Sequence, residues 1–293
     1  MTKTAWVFPG QGSQAVGMGV DLISLAMARE KFQQAEDILG WSVIGVCQSD
    51  AEKLNQTLYT QACLYTVAAI LADVLQDKGQ KPEVVAGHSL GEYVALYTAG
   101  VFDFATGLNL VKLRSQLMDQ AQGGKMVALL GGDRMEIIAA IDQAPEVVLA
   151  NDNCPGQLVI SGTPAGVDAV LGQIKVKRAM PLNVSGAFHS PLMQGAATEF
   201  SQALQAVPFT DAQVPVLSNV DPTPVKAAEV LKERLIKQMT GSVRWLEISQ
   251  QLPEMGVTRV VEVGPGKVLT GLIKRSCEGL ILENVGCLAD IQS

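Results

Sequence analysis

Glu83-Val84-Val85-Ala86-Gly87-His88-Ser89-Leu90-Gly91-Glu92-Tyr93-Val94-Ala95-Leu96 is the stretch whose reading decides the fold. Its valine-led start favours a short buried strand, and the run after Gly91 is rich in helix formers. Between them lies Gly-x-Ser-x-Gly, the pattern of a nucleophile elbow, in which two glycines allow a turn tight enough to expose the serine hydroxyl. Ser89 then stands at a helix N-terminus, where free N–H groups and partial positive charge favour an oxyanion. The alternative is a glycine-flanked connection with a capping serine, which has the same local shape and no chemistry.

Working outward, Thr4-Ala5-Trp6-Val7-Phe8 reads as a first buried strand that runs into Pro9-Gly10-Gln11-Gly12-Ser13-Gln14. This loop lacks the spacing of a dinucleotide fingerprint and the Gly-Lys-Ser/Thr ending of a P-loop. The Gln11 main-chain N–H is instead expected to be the second oxyanion donor, since a loop after another strand does this in elbow enzymes. Helices are expected up to Leu39 and from Thr60 to Lys78, and Ser49-x-x-Glu52 resembles a capping box.

Downstream, Asp103 to Gln120 is expected to be helical, and its phase is informative. Leu110, Val111, Leu117 and Met118 lie three or four positions from Arg114 and share its face, whereas Lys112, Ser115 and Gln116 fall on the polar face. Arg114 therefore points inward, either as a structural ion pair or as an anion site whose planar fork suits a carboxylate. From Lys125 to Leu182 the order of expected elements is βαββαβ, the ferredoxin-like unit. Strands and helices alternate on both sides of it. The fold expected is α/β, a hydrolase-like core with a mostly parallel sheet (1–123 and 187–293) and an inserted ferredoxin-like subdomain (124–186).

Composition narrows the chemistry. A net charge of −7, with no Lys/Arg block interleaved with aromatics, points away from nucleic acid and anionic membranes. No signal-peptide core is legible and no apolar run is expected to span a membrane, so a cytoplasmic location is expected. The 5 cysteines lack a Cys-x-x-Cys pair, and the 2 histidines lack metal-binding spacing, so no metal is expected. A serine nucleophile needs a base. His88 adjoins Ser89, and the sharp turn sends the two side chains apart, which leaves His189. Either an acid or a main-chain carbonyl could orient its imidazole. An α/β-hydrolase and a binding module remain alternatives.

Five blocks taken in order carry a resemblance: Phe8-Pro9-Gly10-Gln11-Gly12-Ser13-Gln14, Gly87-His88-Ser89-Leu90-Gly91-Glu92, Gly156-Gln157-Leu158-Val159-Ile160-Ser161-Gly162, Phe188-His189-Ser190 and Val261-Glu262-Val263-Gly264-Pro265-Gly266-Lys267-Val268-Leu269, with Arg114 in its helix. From end to end the chain resembles the malonyl-CoA:acyl carrier protein transacylases. The resemblance implies Ser89 as nucleophile, His189 as base, the Gln11 and Leu90 N–H groups as oxyanion hole, and Arg114 as the clamp for a malonyl carboxylate. Phe188 is similar to the malonyl-selecting form, and Gln61 and Met118 are expected to line the substrate pocket. Ser242-Val243-Arg244-Trp245 departs from the Pro-Val-x-Trp run of relatives, in which the residue matching Arg244 orients the histidine through its carbonyl. Malonyl-CoA and acyl carrier protein are the implied partners of a monomer, with no bound cofactor. Lys175, Lys177 and Arg178, or Lys267, Lys274 and Arg275, are the basic clusters expected to attract an acidic carrier.

Overall fold

The computed structural model describes residues 2–184 and 186–292, and Met1, Ser185 and Ser293 lie outside the described residues. In chain order, β1 (Thr4–Phe8) leads to α1 (Ala26–Leu39), the short α2 (Val43–Cys47) and α3 (Ala51–Leu54), and the long α4 (Thr57–Asp77). The elbow strand β2 (Val84–Gly87) is followed by α5 (Gly91–Thr98) and α6 (Phe104–Gln120). Then come β3 (Lys125–Leu130), α7 (Arg134–Asp142), β4 (Val147–Cys154), β5 (Gln157–Gly162), α8 (Pro164–Gln173) and β6 (Arg178–Pro181). The chain ends through α9 (Gln194–Ala206), β7 (Val216–Leu217), α10 (Ala228–Gln238), α11 (Trp245–Glu254), β8 (Arg259–Val263), α12 (Val268–Ser276), β9 (Ile281–Val285) and α13 (Leu288–Gln292).

Two sheets result. The larger has the order β7-β2-β1-β8-β9, and every pairing in it is parallel. Side chains alternate along its strands. Trp6, Phe8 and Val85 join the core that holds α4, α5 and α6, while Ala5, Val7, Val84 and Ala86 face Trp245, Ile248 and Leu269 of α11 and α12. Burial on both faces is what a parallel sheet between helical layers requires. The smaller sheet, β4-β5-β3-β6, is antiparallel throughout. Its order is that of a ferredoxin-like unit, and α7 and α8 close a separate core around Val127, Ile137, Ile160 and Val170.

Several local expectations are corrected. Asp50, not Ser49, caps α3, accepting from Lys53 N at 2.9 Å, because Ser49 Oγ is turned back to donate to Val46 O at 2.6 Å. The helices that the sequence leads one to expect over 225–239 and 243–251 are α10, which starts only at Ala228 since Val225 pairs with Val216, and α11, which starts only at Trp245 since Val243 bridges Asn151. That bridge stitches the inserted sheet to the main body. β9 was not anticipated because Glu283 and Asn284 break its apolar run; Glu283 pairs with Arg259 across the sheet edge at 2.6 Å. α4, at 21 residues, is long and apolar enough by length and composition to cross a membrane, contrary to expectation. It packs instead as a core helix, with Gln61 to Ala72 wholly buried.

Candidate active site

The site forms at the carboxyl ends of β1, β2 and β7, the edge at which parallel α/β sheets gather functional loops. At the end of β2 the chain turns sharply, and Ser89 adopts φ 51°, a left-handed conformation rare for a side-chain-bearing residue. The flanking glycines are required by space. A Cβ on Gly87 would lie 1.9 Å from Gly91 C, and one on Gly91 1.9 Å from Phe8 O. Asn219, just beyond β7, straps the turn from both sides. Its Oδ1 accepts from Ser89 N at 2.7 Å and its Nδ2 donates to Gly87 O at 2.6 Å.

Ser89 Oγ lies 2.8 Å from His189 Nε2. His189 Nδ1 faces two carbonyl oxygens, Gln238 O at 3.0 Å and Gly241 O at 3.1 Å. Carbonyls only accept, so Nδ1 carries the proton and Nε2 is left to accept from Ser89. Gln238 is the last residue of α10, whose terminal carbonyls have no partners inside the helix. The negative end of a helix thus stands where an aspartate would in a triad. The expectation that Arg244 supplies this carbonyl is corrected. Arg244 O accepts from Ile248 N at 3.1 Å in the first turn of α11, while its side chain holds Glu247 and Val220 O. Burial, reinforced by the nearby Arg114 charge, pulls the His189 pKa down to about 3, so the imidazole is neutral at pH 7. His88 is turned away, its Nε2 2.8 Å from Asn153 Oδ1 and its ring against Trp245, as expected of a structural residue.

Arg114 is 1% exposed and points inward from α6, as its phase predicts. Nη1 donates to Gln61 Oε1 at 2.7 Å, and Nη2 donates to Ser89 Oγ at 2.9 Å and Gln238 Oε1 at 3.2 Å. Its Nε has no partner among the described residues. The ring of Tyr93 lies 5.4 Å from the guanidinium carbon. Burial lowers the Arg114 pKa, yet an arginine keeps its charge in proteins. Among the described residues no carboxylate lies within ion-pair reach of it. Ser115, expected on the polar face, is buried and donates to Lys112 O at 2.9 Å.

A cavity of about 100 Å³ opens at this point, lined by Ser89, His189, Arg114, Gln11, Leu90, Gln61, Met118 and Phe188, together with Met126, Leu182 and Val184 from the inserted subdomain and its exit. Every expected site residue except Arg244 lines it. Neither Gln11 N–H nor Leu90 N–H has an acceptor among the described residues. Among the described residues no three His, Cys, Asp or Glu side chains gather as metal ligands. The sequence reading missed Asn219, Gln238 and Glu92, all buried. Gln238 lies three and seven residues beyond the buried Leu235 and Leu231 in α10, and a polar group in register with an apolar face was its one signal.

Residues 5–285 match the family model described as acyl transferase domain. The chain is 62% identical over 291 residues to the malonyl CoA-acyl carrier protein transacylase of Synechocystis sp., covering 99% of each. The crystal structure of the Synechocystis malonyl-CoA:ACP transacylase superposes with a TM-score of 0.98 at 62% identity, again over 99% of each chain. A malonyl-transacylase solved in complex with a type II PKS acyl-carrier protein gives a TM-score of 0.93 at 38% identity, over 99% of this chain and 98% of that one. A nucleophile elbow, a helix-oriented histidine and an inward arginine around one small cavity agree with these likenesses: the chain belongs to the malonyl CoA-acyl carrier protein transacylase family of acyl transferases.

Proposed function

We propose that this protein transfers a malonyl group from malonyl-CoA to the phosphopantetheine thiol of acyl carrier protein, in fatty acid biosynthesis, through a malonyl ester on Ser89. One observation carries this reading: Ser89 Oγ lies 2.8 Å from His189 Nε2 and 2.9 Å from Arg114 Nη2, so base, nucleophile and carboxylate receptor converge on one atom. Ser89 Oγ attacks the thioester carbonyl as its proton passes to His189 Nε2. The Gln11 and Leu90 N–H groups receive the oxyanion, and the C–S bond then breaks, with CoA sulfur taking the proton from His189. The carrier thiol reverses these steps, which makes the kinetics ping-pong. Arg114, with Gln61 and Met118 beside it and Phe188 lining the same cavity, receives the free carboxylate in bidentate fashion. No resident cofactor or metal takes part, and the enzyme works as a cytoplasmic monomer.

Mass spectrometry after mixing with malonyl-CoA tests the proposal. One malonyl group held on Ser89 until carrier protein is added is expected; rapid release of free malonate would make the enzyme a hydrolase, and no adduct would make it a binding module.

A further inference from the structure

The Gln238 side chain ties the site together. Its Nε2 donates to Ser89 O at 2.8 Å and to Glu92 Oε2 at 2.7 Å, and its Oε1 accepts from Arg114 Nη2 at 3.2 Å. Two of these partners only accept and the third only donates, so the orientation of the amide is fixed by its surroundings. Glu92 is 1% exposed and also accepts from Asn219 N at 3.2 Å. The buried carboxylate is therefore held one amide's length from the guanidinium instead of against it.

This spacing bears on selectivity. A guanidinium paired directly with a protein carboxylate has its charge and its fork already occupied, and binds an acyl carboxylate poorly. One left without anchors is free to swing away from the nucleophile. Here both anchors, Gln61 Oε1 and Gln238 Oε1, are neutral amides, so Arg114 is held in place with its charge unspent. We propose that Gln238 is a specificity-positioning residue: its side chain, braced by Glu92, holds the Arg114 clamp in register with Ser89 for a carboxylated acyl group, independently of the main-chain carbonyl that orients His189. The inference rests on the acyl-enzyme reading above.

Initial rates of Ser89 acylation by malonyl-CoA and by acetyl-CoA, read by mass spectrometry on intact enzyme, test it. Gln238→Leu keeps the main-chain carbonyl and removes the amide. Its malonyl rate should fall about 10- to 100-fold while the acetyl rate changes less than about threefold, as a clamp defect predicts and a base defect does not. Gln238→Glu is nearly isosteric and sets a carboxylate directly on Arg114, so the malonyl-to-acetyl ratio should fall further, toward that of Arg114→Ala. If Gln238→Leu loses the fold, Gln238→Met, which keeps the side-chain length without the amide, is read in its place, and the same fall in the malonyl-to-acetyl ratio is expected. Equal loss of both thioesters at wild-type Tm, or an unchanged ratio in Gln238→Glu, overturns the proposal. Absence of any malonyl adduct on the wild-type enzyme would instead overturn the acyl-enzyme reading.

Discussion

Ser89 and His189 are the two non-glycine residues with positive φ among those described, at 51° and 58°, and they face each other across one hydrogen bond. Their loops hold the same strained conformation by different means. Around Ser89 the means are local: glycines at 87 and 91 let β2, α5 and Phe8 O close in. Around His189 they are mostly distant. Ser190 Oγ donates to Ala187 O at 2.6 Å, but the imidazole is oriented by carbonyls of Gln238 and Gly241, which lie 49 and 52 residues further along. Strain built from neighbours is written in one motif, while strain held from afar depends on the whole fold.

The largest expected effect breaks the local side of this comparison. Gly91→Ala places a methyl group 1.9 Å from Phe8 O, which only backbone movement relieves. We expect a loss of about 3–5 kcal/mol of stability and no acylation, as overpacking at a special backbone position predicts. Denaturant unfolding measures it, and a variant of wild-type stability would show that the elbow is looser than its geometry implies.

The next effect separates chemistry from scaffolding at the two histidines. His189→Ala should lower acylation about 10²–10⁴-fold with little change in Tm. His88→Ala loses its Asn153 partner and its packing on Trp245, and should act chiefly through stability. Stopped-flow acylation beside thermal melts distinguishes them. The reverse pattern, in which folded His88→Ala is inactive and His189→Ala active, would exchange their roles.

The smallest effect sharpens the distant side. Arg244 O is already engaged by α11, and the Arg244 side chain pairs with Glu247 in an exposed ion pair worth about 0–1 kcal/mol. Arg244→Ala should leave the acid limb of the acylation pH profile where it is in the wild type. That limb belongs well below pH 6.5, because the lowered pKa keeps the His189 imidazole neutral, and so able to act as base, down to that range. Movement of the limb in Arg244→Ala would show that the Arg244 side-chain charge reaches His189.

The legibility of the sequence follows the same division. The elbow, the parallel core and the inserted sheet were readable because glycine spacing, strand length and the βαββαβ order are local signals. Arg114 was readable from helix phase. Asn219 and Gln238 were not, since they reach Ser89 across 130 and 149 residues, and helix phase marks Gln238 only as inward and not as a partner of Ser89. The Arg244 assignment erred by choosing the right neighbourhood and the wrong carbonyl. Position along the chain does not say which oxygen a helix start has already engaged, whereas at the end of α10 the Gln238 carbonyl has no main-chain donor among the described residues and is left for His189.

The helix end behind His189 also governs how heredity can alter this enzyme. An orienting aspartate is lost to a single codon change, but a main-chain oxygen is encoded by every codon, so substitution at Gln238 or Gly241 does not delete it. Only a change in the course of the chain can. Insertions or deletions between these two positions are therefore the lesions that would silence the base while every catalytic side chain stayed in the gene.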